Sequence, residues 1–238
     1  MSIIYKPKGK AGEYSDLAVN LYKGCSHRCI YCYAPSATFT KREDFYNNIK
    51  PRKDIIEKLK KDAELHQGNG EHVLLSFTSD PYQPIDKRLK LTRQAIEILK
   101  NNGYNIKILT KAGELARRDF DLLNENDWFG ITLTSYSKFK EWEMEAASYQ
   151  LRVRNLSIAK KKGLKTWVSL EPVIFPDETL DIISVTHNIV DHYKVGKLNY
   201  HPRSKEIDWK MFANNVVEEL EKYNCDYYIK DDLREYLD

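Results

Sequence analysis

Two hydrophobic rhythms alternate along the chain. Short apolar runs rich in β-branched and aromatic residues fall at 17–22 (LAVNLY), 72–78 (HVLLSFT), 105–110 (NIKILT), 128–134 (WFGITLT), 165–171 (KTWVSLE) and 192–198 (HYKVGKL), with a candidate seventh at 226–230 (DYYIK). Runs of this length and composition predict strands. Between them, apolar residues recur at helical spacing over 52–65, 92–101, 116–124, 141–162, 178–187 and 209–223, which predicts amphipathic helices. Gly103 and Gly163 stand just past two helix ends, where a left-handed residue closes a helix. Asp177 and Asp208 stand where N-caps belong.

Strict strand–helix alternation calls for a parallel sheet, because each crossover helix returns the chain to the same sheet edge with one handedness. The expected fold is therefore α/β: a partial (β/α)6 TIM-type barrel of parallel strands, with 226–230 as an extra C-terminal strand, in one domain over 1–238. Polar residues cluster just after the strands, as TSDPYQP, TK, TLTSYS, LEP and GKLNYHP. A barrel gathers those ends into one mouth, where enzymes of this architecture hold their sites. No G-x-G-x-x-G turn follows the first strand, which counts against a dinucleotide-binding fold.

Composition adds limits. Of 238 residues, 42% are hydrophobic and 31% charged, and no apolar run approaches the length of a membrane helix. The N-terminal segment lacks the apolar stretch of a secretion signal, so a cytoplasmic protein with reduced thiols and no membrane partner is expected. The 38 Lys and Arg against 35 Asp and Glu leave a net charge of +3, too balanced to imply a polyanionic partner alone. Sixteen tyrosines among the basic residues are more suggestive, since aromatic faces can stack on bases.

Three of the four cysteines, Cys25, Cys29 and Cys32, lie within eight residues at C-x3-C-x2-C spacing, and Cys225 is far away. In a reducing compartment such a group reads as a metal or cluster site. Three thiolates can hold zinc with a fourth ligand, for which His27 and Cys225 are the candidates, or three irons of a [4Fe–4S] cluster with the fourth iron open. No second C-x2-C or His pair exists to close a zinc tetrahedron, and the incomplete set favours an open, reactive site. The zinc alternative describes a non-enzymatic, nucleic-acid-binding protein. Cys225 reads as a small buried hydrophobe.

The segments NLYKGCSHRCIYCYAP (residues 20–35) and FTSDPYQPID (77–86) resemble the radical S-adenosylmethionine (SAM) superfamily, specifically its spore photoproduct lyase-like branch. The resemblance implies a cluster loop at 23–35, with Cys25, Cys29 and Cys32 ligating a [4Fe–4S] cluster whose open iron takes SAM. It further implies an external electron donor, reductive cleavage of SAM to a 5′-deoxyadenosyl radical, and hydrogen abstraction from a substrate, nucleic acid or nucleotide being the first guess. A peptide or small molecule is the alternative within the enzyme class.

The same resemblance places SAM contacts at Ser79 and Asp80 for the methionine amino group and at Lys111 and Arg152 for its carboxylate. Thr132 and Thr134 would face ribose or methionine, and Glu171 the adenine edge. Substrate contacts would come from Tyr82, Gln83, Lys194, Lys197, Asn199 and Tyr200 around the mouth. Where spore photoproduct lyase has a hydrogen-returning cysteine, this sequence has Phe77, so spore photoproduct repair itself is not expected.

Overall fold

The computed structural model describes residues 2–237. Seven parallel strands, β1 (Leu17–Val19), β2 (His72–Leu75), β3 (Asn105–Thr110), β4 (Trp128–Thr132), β5 (Lys165–Leu170), β6 (His192–Val195) and β7 (Tyr227–Ile229), pair in sequence order. They form a curled half-barrel, as expected, and the candidate seventh strand is present. The principal helices are α1 (Ile55–His66), α2 (Leu91–Asn101), α3 (Tyr149–Lys161), α4 (Pro176–Thr186) and α5 (Trp209–Lys222).

Alternation along each strand divides the side chains between two faces. Val73, Leu75, Ile106, Ile108, Phe129, Ile131, Val168 and Leu170 meet Leu59, Ile96, Leu99, Leu156, Ile183 and Val216 from the helices in one continuous core. Fully burying each such side chain contributes about 1.5–3 kcal/mol. The opposite, inner face carries Ala18, Leu74 and Trp167, packed against Tyr14 of the N-terminal segment. Gly130 permits this layer: a Cβ there would lie 2.2 Å from Trp167 Nε1, so only glycine lets the indole cross β4.

The structure changes three sequence expectations. The first run ends at Val19, and Tyr22–Lys23 instead pairs antiparallel with Lys50–Pro51. The helix expected at 116–124 is a 3-10 turn, Glu114–Arg117, followed by further turns. The helix expected at 141–162 is two pieces, Phe139–Trp142 and α3. The break has a physical cause, because the backbone between the pieces pairs with the cysteine loop instead: Ile30 N donates to Trp142 O (2.9 Å) and Glu145 N to His27 O (3.1 Å). Gly103 and Gly163 have φ of +80° and +81°, as helix-closing residues should. Asp208 caps α5 by accepting from Met211 N at 2.9 Å, whereas Asp177 lies inside the first turn of α4, which begins with Pro176.

Candidate active site

The three cysteines follow β1 at the C-terminal end of the sheet, on a loop held by nearly every distinctive residue of its own motif. Asn20 Oδ1 accepts from Phe77 N and Thr78 N (both 2.9 Å), joining the ends of β1 and β2. Tyr22 donates to Asp86 at 2.5 Å. Gly24 has φ +80°, and a Cβ on it would lie 2.6 Å from Phe45 O, the carbonyl that accepts from Cys25 N. His27 Nε2 lies 3.1 Å from Asp80 Oδ2. Tyr31 donates to Glu143, and Tyr33 donates to Phe77 O at 3.1 Å.

Arg42 completes the frame by donating to the carbonyls of Ile30 (3.0 Å) and Cys32 (3.1 Å), while Tyr46 donates to Cys29 O at 2.6 Å. Sequence spacing gives no sign of either residue's role, because both lie on the following helix, Arg42–Asn47.

All three thiols are free and unbridged. Burial pushes each above the ordinary cysteine range, Cys25 to about 12, with Asp80 adding to the effect. A neutral thiol is a poor ligand, so a cation bound among them is what would make them thiolates. Among the described residues, no three His, Cys, Asp or Glu side chains converge on a single ion. His27 is taken by Asp80 and the Glu145 carbonyl, and Cys225 packs on the helix side of the sheet. His27 thus lies on the loop with both ring nitrogens engaged elsewhere, and Cys225 lies away from it, so neither candidate is placed as a fourth zinc ligand.

Several residues expected at SAM prove to brace the site. Asp80 Oδ1 accepts from Tyr82 N and Thr110 Oγ1 (both 2.8 Å), and Oδ2 from Lys111 N (2.7 Å). Burial raises its pKa, but the facing His27 and these bonds outweigh that and hold the carboxyl below its ordinary range. Arg152 is fully buried and donates to Ala147 O (2.9 Å), Thr132 O (2.7 Å) and Glu143 Oε2 (2.5 Å). The expected bidentate grip on a ligand carboxylate is therefore already occupied by protein. Glu143, unremarked in the sequence, lies beside Cys29 through a backbone bridge. Glu171, expected near adenine, accepts from Tyr14 and from Lys230 (2.9 Å to each oxygen).

Other expected contacts are buried polar groups just past the strand ends. Among the described residues, no hydrogen-bond partner is found for the buried Ser79 Oγ, Thr134 Oγ1 or Ser76 Oγ. A buried hydroxyl left unpaired is costly and marks a place for a polar ligand group. Thr132, the last residue of β4, is buried as well. Lys111 sits over the Tyr31 ring at 5.7 Å; burial disfavours its ammonium, but Cys29 and Glu143 outweigh this and raise its pKa. This donor set suits a ligand carrying both ammonium and carboxylate.

The expected substrate residues scatter. Tyr82 is core, under the Arg118 guanidinium. Gln83 is fully buried and braces the cluster loop, accepting from Ser26 N (3.1 Å) and donating to Gly24 O (3.3 Å). Lys197 donates to Tyr236 at 2.6 Å and lies over its ring. Asn199 donates to Asp232 at 2.8 Å. Lys194 lines a cavity at the opposite end of the sheet. Tyr200 alone of this group is free at the surface, 97% exposed.

Comparison with known proteins agrees with this geometry. The family model for the radical SAM superfamily matches residues 19–188. An uncharacterised protein of Mycobacterium bovis is 34% identical over 167 residues, covering 66% of this chain and 49% of its own length. One from Methanocaldococcus jannaschii is 30% identical over 189 residues, covering 76% and 70%. The chain thus spans about half the length of its mycobacterial relative. Among solved structures, spore photoproduct lyase complexed with dinucleoside spore photoproduct superposes with a TM-score of 0.72 at 15% identity, over 95% of this chain and 78% of the other. Streptococcus suis SuiB bound to S-adenosylmethionine gives 0.62 at 14%, over 89% and 49%. The match over 19–188, with a three-cysteine loop after the first strand of a half-barrel, means that this chain belongs to the radical SAM superfamily.

Proposed function

We propose that the chain is a radical SAM enzyme in which Cys25, Cys29 and Cys32 hold a [4Fe–4S] cluster and the partnerless hydroxyls beside them hold SAM. The carrying observation is the pairing of three free thiols on a braced loop, Cys29 buried and Cys25 and Cys32 half-buried, with Ser79 and Thr134, whose hydroxyls find no partner among the described residues. When bound, cluster and SAM together supply a 5′-deoxyadenosyl radical for hydrogen abstraction, with the electron coming from an external donor.

The chain's own residues do the rest. The thiols bind iron as thiolates. Ser79 and Thr134 offer hydrogen bonds to the polar groups of SAM, and Lys111 offers a cation to its carboxylate. Asp80, Gln83, Arg42 and the Arg152–Glu143 pair fix the loop so that these groups need not reorganise on binding.

For the substrate we infer a nucleotide or nucleic acid, on the likeness in fold to spore photoproduct lyase and on Tyr33 and Tyr200, 52% and 97% exposed beyond the C-terminal strand ends and able to stack on a base. The resemblance puts Phe77 where that branch's lyase has its hydrogen-returning cysteine, so we infer a product other than repaired thymine. A peptide is the second reading, favoured by SuiB having been solved bound to precursor peptide SuiA. The test is to supply deuterated oligonucleotides or peptides to the reduced, loaded protein and look for deuterium in 5′-deoxyadenosine. Label arriving from the nucleotide supports the first reading, and label arriving only from peptide overturns it.

A further inference from the structure

At the end of the sheet away from the cysteine loop, the barrel opens into a cavity of about 420 Å³, wide to solvent, that the mechanism above does not use. Its lining comes from the strand beginnings, His72, Lys107, Trp128, His192 and Lys194, and from the crossing N-terminal segment. Lys107 on β3 and Lys194 on β6 enter it from facing strands. Lys194 is 7% exposed. Each ammonium spends one proton on a carbonyl, Lys107 on Tyr14 O (2.9 Å) and Lys194 on Glu13 O. Two donors remain on each.

The carboxylates nearby do not neutralise them. Glu13 is held by Lys230 at 3.4 Å and by Asp231 N at 2.9 Å. Asp226 pairs with His192 at 2.6 Å, and Asp16 is exposed at the rim. Lys230, the third interior lysine, differs in having Glu171 at 2.9 Å. Among the described residues, no ion-pair partner is found for Lys107 or Lys194. Burial lowers both, Lys107 to about 7 with help from Lys194, and Lys194 to about 8 with help from Lys230. Two ammonium groups desolvated side by side are costly: with only the rings of Trp167 (4.8 Å), Tyr14 (5.3 Å) and Tyr228 (5.1 Å) for company the pair sheds protons, and an anion sharing the space lets it keep them.

We propose that this cavity is a second binding site, for a small oxyanion of the phosphate class, gripped between Lys107 and Lys194 with Trp128 and His192 at its entrance. The site is separate from the cysteine loop and does not depend on the reading given to it. An anion bound there restores the charge of both lysines, so binding above pH 7 takes up protons. The groups facing the anion are Lys107, Lys194, His72 and His192, with Lys230 acting on Lys194 from behind, while Glu13, Glu171, Asp16 and the Asp226 of the His192 pair oppose it.

The test uses the full chain and sulfate, which does not itself titrate near neutrality, added at constant ionic strength against chloride at pH 8.5. Calorimetry in two buffers of different ionisation heat is expected to show saturable binding with proton uptake. Lys107→Met should weaken it by about tenfold or more, as removing a charge-assisted donor does, while Lys107→Arg retains it. Phenyl phosphate binding as tightly as sulfate identifies a phosphate monoester as the ligand type, and exclusion of phenyl phosphate identifies a free anion. Undiminished binding in Lys107→Met overturns the proposal. Should that variant not fold, the wild-type chain still decides: no gain in thermal midpoint with sulfate over chloride overturns it equally.

Discussion

Arg152 Nη2 lies 2.5 Å from Glu143 Oε2, and both side chains are fully buried, between the end of β4 and the cysteine loop. Glu143 also accepts from Tyr31, the residue before Cys32. One ion pair therefore ties α3 to the cluster loop. Removing one partner leaves a buried charge uncompensated, a loss of about 3–5 kcal/mol. Glu143→Ala should lower stability to urea by that amount, and the double replacement Glu143→Met with Arg152→Met should recover much of it. A single replacement costing less than about 1 kcal/mol, the size of a surface pair, would contradict the arrangement.

Gly24 should tolerate no side chain. Its φ of +80° and the 2.6 Å approach of a Cβ to Phe45 O predict that Gly24→Ala destabilises by about 1–3 kcal/mol and displaces Cys25. Iron content per chain after anaerobic reconstitution is the readout, and full loading of the variant would refute the role.

The partnerless hydroxyls separate binding from folding. Because Ser79 Oγ and Thr134 Oγ1 find no partner among the described residues, Ser79→Ala and Thr134→Val should leave the stability of the iron-free protein unchanged or slightly raised. Each should weaken SAM binding severalfold, the worth of one hydrogen bond, as measured by equilibrium dialysis. Lost stability with unchanged affinity would reverse the assignment.

Asp80 predicts an acid limit. Its carboxyl is held below the ordinary value of 3.8 by His27 and its hydrogen bonds, against the opposing effect of burial. A depressed folded-state pKa contributes stability that is fully present above the unfolded value and is lost as pH falls through the folded one. Unfolding followed from pH 6 downward should show wild type losing stability below about pH 4 more steeply than Asp80→Asn. Parallel curves would remove Asp80 as the source.

Much of the fold is legible because strands and helices here have clean periods: β2 to β6 each stand out as a short apolar run between amphipathic stretches. The C-x3-C-x2-C loop was legible for the same local reason. What was not legible depends on distance in sequence. The break between Trp142 and Tyr149 arises because the chain pairs with His27 and Ile30, more than a hundred residues earlier, which helical periodicity cannot register. Arg152 and Asp80 have the chemistry to bind a zwitterion, yet their partners, Glu143 and Lys111 N, become visible only in three dimensions. Lys194 and Lys197 are three residues apart, but alternation sends one into the barrel and the other toward Tyr236.

The central claim is that the three-cysteine loop supports reductive cleavage of SAM. The direct measurement is 5′-deoxyadenosine, by mass spectrometry, after the anaerobically purified and iron–sulfur-reconstituted protein is given dithionite and SAM. The account predicts product from the wild-type chain and none from Cys29→Ala. Reconstituted wild type that makes no 5′-deoxyadenosine, or Cys29→Ala that makes as much, would contradict it.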